Sequence, residues 1–173
     1  LLAGLALAAL PFVMLVAVHG YQKERLAAFF NPNYDPLGAG YNANQAAISI
    51  GSGGWLGKGW TKGPQTQLAF LRTQTTDYIF SVLGEELGFV GAMLLFALFL
   101  ILLLRGLQVA ALAPDDFGRL LATGIVVMLL TQVGINVGVN IRLFPVTGIP
   151  LPFISQGGSS LLSVFASVGL LQS

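Results

Sequence analysis

The sequence has 173 residues, of which 55% are hydrophobic and only 9% are charged. Soluble domains carry roughly 25% charged residues, so this composition excludes an ordinary water-soluble fold and indicates a chain whose apolar surface faces lipid. The net charge of +1 offers no basic surface for nucleic acid, and the lack of cysteine excludes disulfides and thiolate metal sites.

The first apolar segment, residues 1–18, is uncharged and has about the minimum length for one crossing of a bilayer. Pro11 lies inside it and predicts a kink, which neighbouring helices in a membrane can accommodate. The segment begins without Met and without a basic region, so it does not resemble a signal peptide. We therefore expect the sequence to be a fragment of a longer chain.

Residues 20–76 form a polar segment that carries most of the lysines and arginines. By the positive-inside rule this charge would place the segment in the cytoplasm. Its part 51–63 is too rich in glycine for a stable helix, and its flexible N–H groups with Lys58 suit either anion contact or simple loop mobility. Aromatic residues such as Trp55 and Trp60 predict a folded functional loop that rests at the membrane interface.

Three apolar segments follow, residues 87–104, 120–141 and the short 161–171. Asp115 or Asp116 is expected to cap the second of these helices. Such runs are too long for the strands of a barrel, so the sequence predicts an all-α polytopic membrane protein, a transmembrane helix bundle with one large loop. The predicted spans are about 1–19, 79–104, 119–141 and 157–172, and the predicted loop is about 20–78.

A stripe of amides lies in the third predicted span, where Gln132, Asn136 and Asn140 recur every four residues. This spacing places them on one helix face. They suit either hydrogen bonds between helices or the wall of a polar cavity. Glycines at GxxxG spacing predict close packing of helices; these pairs are Gly84 with Gly88 and Gly134 with Gly138.

Three acidic residues, Asp77, Glu85 and Glu86, mark the approach to the second predicted span. Carboxylates near the start of a helix are stabilised by its dipole, so Glu85 and Glu86 suit a capping role. A carboxylate at membrane depth is costly unless it is paired or functional, which makes Asp77 a candidate for chemistry. His19 stands alone and predicts no metal site or catalytic triad. From the residues alone, a transporter, a lipid-acting enzyme and a scaffold all remain open.

Four stretches of the sequence resemble one family. They are residues 31–45 (NPNYDPLGAGYNANQ), 50–60 (IGSGGWLGKGW), 76–89 (TDYIFSVLGEELGF) and 136–160 (NVGVNIRLFPVTGIPLPFISQGGSS). In this order they closely resemble the SEDS family (shape, elongation, division and sporulation; RodA, FtsW and SpoVE), and the first leans towards its RodA-like elongation members. Gln156 departs from the family, which usually has Tyr, Ser or Ala at that position.

The resemblance implies the C-terminal half of a ten-helix protein of the bacterial inner membrane. It implies that the loop of residues 20–78 is extracytoplasmic, in place of the cytoplasmic side that the charge pattern favours. It also implies a peptidoglycan glycosyltransferase, which polymerises lipid II for the cell wall together with a class B penicillin-binding protein. The family's catalytic aspartate in the TD(F/Y)IF motif corresponds to Asp77.

A hypothesis for the site joins these two lines of reasoning. Asp77 would act as the general base on the attacking sugar hydroxyl. Either basic side chains or a divalent cation (Mg²⁺ or Mn²⁺) bound by Asp77 would stabilise the leaving pyrophosphate, with no other cofactor expected. Glu86 would position the loop or bind substrate. The predicted substrate-binding residues are Lys58, Arg72, Glu86, Arg142, Ser155, Gly157, Gly158 and Ser159.

Two other functions compete with the glycosyltransferase. A flippase would move lipid II between the two leaflets, and the amide stripe of Gln132, Asn136 and Asn140 would line its polar path. A scaffold for the partner enzyme would not need the carboxylate of Asp77. A polymerase loses activity when Asp77 is neutralised, a flippase makes no polymer, and a scaffold is indifferent to that change.

Overall fold

The computed structural model describes Phe29 and residues 39–63 and 76–172. These residues are helical and contain no strand, as the sequence predicts. The chain divides into two compact units, Leu1–Tyr41 and Asn42–Ser173, and the description below concerns the second. The predicted span at 1–19, Arg72 and His19 lie outside the described residues. The helices are α1 (Ala39–Gly53), α2 (Ile79–Leu112), α3 (Asp116–Asn140) and α4 (Gly158–Gln172).

Two of the described helices, α2 and α3, are long and apolar enough to cross a membrane, judged by length and composition alone. Large apolar side chains on their outer faces, such as Leu94, Leu98 and Leu130, are more than half exposed. Apolar faces of this kind are what a lipid-facing helix presents. The apolar helix α4 is shorter, with 15 residues.

The helices α2 and α3 form a tightly packed antiparallel hairpin. The carboxylate of Asp115 caps α3 by accepting a hydrogen bond of 3.0 Å from the N–H of Gly118, which confirms a predicted cap. A cluster that includes Phe99, Val133 and Leu151 fills the space between the two helices. The loop that follows α3 therefore contributes to the same core.

The helix α1 corrects the expectation that the glycine-rich segment is non-helical from residue 51. The helix continues through Gly51 and ends at Gly53. The physical reason is tertiary packing, because a Cβ on Gly53 would stand only 1.9 Å from the backbone oxygen of Gly84. Tertiary contact of this kind overrides a weak local propensity. Gly84, which belongs to one of the two predicted glycine pairs, thus lies in close helix packing.

Candidate active site

Asp77 stands in a turn of residues 76–78 that leads directly into α2. Its neighbour Tyr78 is fully buried and packs in a cluster with Ala46 of α1 and Val139 of α3. Asp77 itself is half-buried, and its carboxylate accepts no hydrogen bond from the part of the chain that the structure describes. One carboxylate oxygen faces Gly148, 3.9 Å from where a Cβ on that glycine would stand. The turn is anchored while the carboxylate remains available.

The amides of Asn136 and Asn140 hold the backbone of this turn. Their side-chain N–H groups donate to the carbonyl of Asp77, at 3.2 Å from Asn136 and 2.9 Å from Asn140. Asn136 also donates to the carbonyl of Ile149, at 2.8 Å. The stripe therefore makes tertiary hydrogen bonds, the first of its two predicted roles. Gln132, its third member, is half-buried, and its side chain makes no hydrogen bond to a described residue.

Asn140 also contacts the first turn of α2. Its side-chain oxygen accepts hydrogen bonds from the backbone N–H of Ser81, at 3.1 Å, and from the hydroxyl of Ser81. Its N–H group donates to the carbonyl of Asn136 as well, at 2.9 Å. Asn140 is fully buried, so each of these bonds forms away from water, where losing one is costly.

Ser155 ties the same turn to the loop after α3. Its hydroxyl donates to the carbonyl of Thr76, at 2.7 Å, and accepts from the N–H of Leu151, at 2.8 Å. The side chain is buried. These contacts make Ser155 a support of the Asp77 turn, and the substrate binding that the sequence predicts for it stays a prediction.

The other predicted residues of this loop lie at the start of α4. The hydroxyl of Ser160 and the N–H of Leu161 both donate to the carbonyl of Gly157, at 2.9 Å each. Gly158 and Ser159 are exposed in the first helical turn. Their described hydrogen bonds stay within α4, and none joins them to Asp77. Substrate binding by these residues stays a prediction.

The glycine loop after α1 is inserted into a break in α2. At Gly88 the backbone leaves the helical conformation, with φ 66° and ψ −161°. The carbonyls of Glu85 and Glu86 accept from the N–H groups of Lys58 and Gly59, each at 3.0 Å. On the other side of the break, two N–H groups of α2 donate back to the loop: Phe89 to Gly54 at 2.9 Å, and Val90 to Trp55 at 3.1 Å.

Glycine is required where the loop meets the break. A Cβ on Gly57 would stand 2.1 Å from the carbonyl oxygen of Glu86, and one on Gly88 would stand 2.2 Å from the nitrogen of Gly57. Gly88 also adopts a conformation that is almost confined to glycine. The backbones of Gly88 and the glycine loop are therefore in close contact. The sequence predicts close packing for Gly84 and Gly88, but the partner of Gly88 is this loop and not a helix.

The break corrects the expected position of Glu85 and Glu86. The sequence places them near the start of a helix, where they could act as caps, but α2 begins at Ile79 and has no acidic residue in its first turn. Both side chains are buried. The Glu85 carboxylate lies against Gly63, within 2.7 Å of where a Cβ would stand. The glutamates therefore belong to the contact between the glycine loop and α2.

Two of the predicted cationic residues have described positions. Lys58 is exposed, and its backbone N–H is held by the break in α2. Arg142 follows α3 with a φ of 60°, an uncommon left-handed conformation for a residue other than glycine. Its guanidinium donates to the side-chain oxygen of Asn44 in α1. This strained, anchored arginine lies two residues after Asn140, which itself binds the Asp77 turn.

An apolar cavity of about 440 Å³ begins one helical turn from Asp77. It lies among α1, the first half of α2 and the end of α3. Its walls are almost entirely apolar side chains and glycine backbone. The larger lining side chains are Ile50, Phe80, Phe89, Met93, Phe96 and Ile141.

The turn of residues 76–78 offers one carboxylate, that of Asp77, as a ligand for a divalent cation. Among the residues described, no group of three His, Cys, Asp or Glu side chains converges as a metal site. Mg²⁺ is commonly held by only one or two carboxylates when substrate phosphates supply further oxygens. Asp77 would supply one such carboxylate, and a divalent cation bound by it stays a prediction.

Several residues of this site are not among those predicted from the sequence. Asn44, Ser81 and Gly148 each contact a predicted residue from a distant part of the chain. Asn44 and Gly148 lie inside the family-like motifs at 31–45 and 136–160, so those motifs gave a signal for them. Ser81 lies in the motif at 76–89, but nothing in its type distinguishes it from an ordinary helix residue.

The whole chain, residues 1–173, matches the FtsW/RodA/SpoVE family, described as cell cycle proteins. It is 46% identical over 169 residues to the peptidoglycan glycosyltransferase MrdB of Escherichia coli strain K12, covering 98% of this chain and 46% of that protein. It is also 45% identical over 160 residues to the stage V sporulation protein E of Bacillus subtilis, covering 92% of this chain and 43% of the relative.

A solved structure has a similar fold, with a TM-score of 0.73 and 35% sequence identity over 98% of this chain and 46% of the other. Its description reads "Structural coordination of polymerization and crosslinking by a peptidoglycan synthase complex". The chain thus spans about half the length of the relatives and of the solved structure that it matches.

Proposed function

Because this chain belongs to the FtsW/RodA/SpoVE family of cell cycle proteins, we propose that it is part of a peptidoglycan glycosyltransferase that polymerises lipid II into glycan strands. Relatives from two bacteria carry the name peptidoglycan glycosyltransferase, at 46% identity each. Since the chain spans about half their length, the activity belongs to the whole protein. It would serve cell-wall biogenesis in cell shape or cell division.

The observation that carries this proposal is the state of Asp77. Its backbone carbonyl is fixed by two buried amides, while no described residue hydrogen-bonds its carboxylate. A general base must be held in place and must keep an oxygen free to receive a proton. Asp77 meets both requirements at the open end of the hairpin of α2 and α3.

The reaction would proceed as a displacement at a sugar carbon. Asp77 takes the proton of the attacking sugar hydroxyl as that oxygen forms a bond to the anomeric carbon of a second lipid-linked sugar. The bond from this carbon to the pyrophosphate oxygen breaks, and the electron pair leaves with the pyrophosphate. The products are a glycan longer by one unit, a lipid pyrophosphate and the protonated Asp77.

The leaving pyrophosphate gathers negative charge and needs cations or N–H donors. Arg142 is our first candidate, because its guanidinium is anchored and its backbone is held in a strained conformation beside the end of α3. Lys58 and Arg72 are further candidates from the sequence. A divalent cation bound by Asp77 and the pyrophosphate would supply the same neutralisation.

The lipid tail of the substrate has a suitable place in the apolar cavity. The cavity begins at Phe80, three residues from Asp77, and extends along α2 past Phe89 to Phe96. Hydrocarbon buried on such side chains is stabilised by roughly 25 cal/mol per Å². We propose that a segment of a prenyl chain lies here while its pyrophosphate head reaches Asp77.

The same comparisons support a proposal for partner and location. The similar solved structure is described as a complex that coordinates polymerization with crosslinking. We therefore propose that the whole protein works with a crosslinking class B penicillin-binding protein, with membrane lipid and lipid II as its other partners and without nucleic acid. Its location would be the bacterial inner membrane, crossed several times and with the Asp77 end facing outwards.

The structure gives less support to the competing flippase. A polar path would need the amides of the stripe to face open space. Two of the three, Asn136 and Asn140, are buried and engaged by the Asp77 turn. Only Gln132 remains without a described hydrogen bond, and a single amide does not make a path for a disaccharide.

The proposal is tested with purified full-length protein, its crosslinking partner and lipid II. The Asp77→Asn variant keeps the size of the side chain and removes the base, so glycan synthesis should fall by about 10²-fold or more. The matched control is Asp116→Asn, which changes an exposed carboxylate at the opposite end of α3. Normal polymer formation by Asp77→Asn would refute the base assignment, and transfer of labelled lipid II between leaflets without polymer would support the flippase.

A further inference from the structure

We propose that Asn140 is a positioning residue for the transfer reaction, because its amide keeps Asp77 out of helix α2. The proposal rests on the proposed function, in which the Asp77 carboxylate is the base. Asn140 is the last residue of α3 and lies 63 residues along the chain from Asp77. It acts through the backbone of the turn and touches no reacting atom.

The first step of the argument concerns which two groups Asn140 binds. In a continuous α-helix the N–H of residue 81 would donate to the carbonyl of residue 77, four positions earlier. Here the Asn140 N–H group donates to the Asp77 carbonyl at 2.9 Å, and the Asn140 side-chain oxygen accepts from the Ser81 N–H at 3.1 Å. The Asn140 amide therefore binds both groups, the Asp77 carbonyl and the Ser81 N–H, whose direct hydrogen bond would extend α2 back to Asp77.

The second step is the conformation that results. Tyr78 precedes α2 with φ −109° and ψ 21°, outside the helical region. The Ser81 N–H also donates to the carbonyl of Tyr78 at 3.0 Å, a contact of the tighter 3₁₀ type. The helix thus begins at Ile79, and Asp77 stays in the turn where one of its carboxylate oxygens faces Gly148.

The third step is the consequence of losing the amide. Without it, the Asp77 carbonyl keeps one donor, Asn136 at 3.2 Å, and the Ser81 N–H keeps the Tyr78 carbonyl at 3.0 Å, but the amide that bridges the two groups is gone. Pairing them directly would wind the helix back by about one residue and rotate the base by roughly 100°. A displacement of about 1 Å at a reacting group can cost a factor of 10² in rate. Asn140 would therefore affect the rate of the chemical step more than substrate binding.

The amide stripe supplies a matched comparison. Gln132 lies two turns earlier on α3, and its side chain makes no hydrogen bond to a described residue. Gln132→Leu replaces an amide of the same stripe without touching the Asp77 turn. Asn140→Asp keeps the acceptor for Ser81 and removes the donor to Asp77, whereas Asn140→Leu removes both.

The test measures lipid II polymerisation by each full-length variant with its crosslinking partner. Asn140→Asp and Asn140→Leu should lower kcat by about 10²-fold while KM changes by less than about threefold. The acid limb of the pH profile of kcat should also move, by about 0.5 pH unit or more, because the carboxylate enters a new environment. Gln132→Leu should match the wild type in all three measurements.

The outcomes separate this inference from the function on which it rests. If Asp77→Asn stays active, the base assignment fails and the inference falls with it. If Asp77→Asn is inactive but Asn140→Asp keeps kcat within about twofold, only the positioning role is wrong. A lower kcat with an unmoved acid limb would also overturn it, because a loss of folded protein has that effect. Should Asn140→Leu fail to fold, Asn140→Asp carries the test.

Discussion

The guanidinium of Arg142 and the side-chain oxygen of Asn44 are hydrogen-bonded across 98 residues of sequence. This contact joins the turn after α3 to α1 and anchors the side chain of Arg142, whose backbone is in the left-handed conformation. A charge fixed in this way is ready to meet a developing anion without first losing side-chain freedom. A change at Arg142 can therefore distinguish an effect on the free energy of unfolding from an effect on the rate of the proposed reaction.

Replacing Arg142 with glycine should separate stability from activity. Glycine adopts a φ of 60° without strain, and this gain of about 1 kcal/mol offsets the lost hydrogen bond to Asn44. The free energy of unfolding should stay within about 1 kcal/mol of the wild type, while polymerisation falls by about 10²-fold. Chemical denaturation and a lipid II assay measure the two quantities. Arg119→Gly, at an exposed position in α3, removes an arginine as a control, and equal activity of both variants would exclude Arg142 from the site.

Ser155→Ala should destabilise the protein. The change removes a buried hydroxyl that links Leu151 with Thr76 and deprives the buried N–H of Leu151 of its acceptor. The expected loss in the free energy of unfolding is about 1–3 kcal/mol. Direct binding of substrate by Ser155 would instead raise KM and leave stability unchanged.

The control for this change is Ser163→Ala in α4. Ser163 is exposed, and its hydroxyl bonds to the carbonyl of Ser159 one turn earlier. Its removal should alter the free energy of unfolding by no more than about 0.5 kcal/mol. A similar small effect from both serines would contradict the supporting role of Ser155.

Gly88→Ala should disrupt the contact between the glycine loop and α2. The new Cβ meets the nitrogen of Gly57 at 2.2 Å, and the conformation at Gly88 disfavours any side chain. We expect a loss of about 2–4 kcal/mol in the free energy of unfolding. Faster proteolysis of residues 54–63 should accompany it, because the loop loses its backbone partners.

Gly124→Ala gives the matched comparison in α3. A Cβ at this position meets no described heavy atom within 4 Å, and alanine is the better helix former by about 1 kcal/mol. The protein should therefore keep or slightly gain stability. Equal resistance of both alanine variants to unfolding would argue against the described loop contact.

Ala92→Phe should fill the apolar cavity beside Phe80. Ala92 is nearly buried in the cavity wall, so the larger side chain occupies space proposed for the prenyl chain. KM for lipid II should rise by about tenfold, whereas an analogue with a short lipid should be unaffected. Leu98→Phe, on the exposed face of the same helix, is the control. Equal effects of Ala92→Phe on long and short lipids would contradict the assignment of the cavity.

The sequence predicted the parts of this fold that depend on composition and local pattern. The apolar runs correspond to α2 and α3, and Asp115 caps α3 as its residue type suggests. The motif around Asp77 and the cost of a carboxylate near lipid both marked this residue as a candidate for catalysis. All of these signals lie within a few consecutive residues, so they can be read without knowing which segments meet.

The remaining features depend on pairing between distant segments. The helix α1 forms in a stretch whose glycines argue against it, because Gly53 packs directly on Gly84. The break at Gly88 is invisible in sequence, since a GxxxG pair suits an unbroken helix equally well. Likewise, the spacing of Asn136 and Asn140 predicts a shared face, but only the fold shows that both amides meet the carbonyl of Asp77.

The break at Gly88 also divides α2 into a short first part and a long second part. Beyond Phe89 the helix α2 runs to Leu112, roughly 35 Å at 1.5 Å per residue, which is close to the thickness of about 30 Å of a bilayer's hydrocarbon core. Backbone groups that leave a helix are tolerated at such depths only when protein or water satisfies them. The exchange of hydrogen bonds at Gly88 gives the groups freed at the break protein partners, so α2 can be interrupted there and still continue as a helix long enough to span the core.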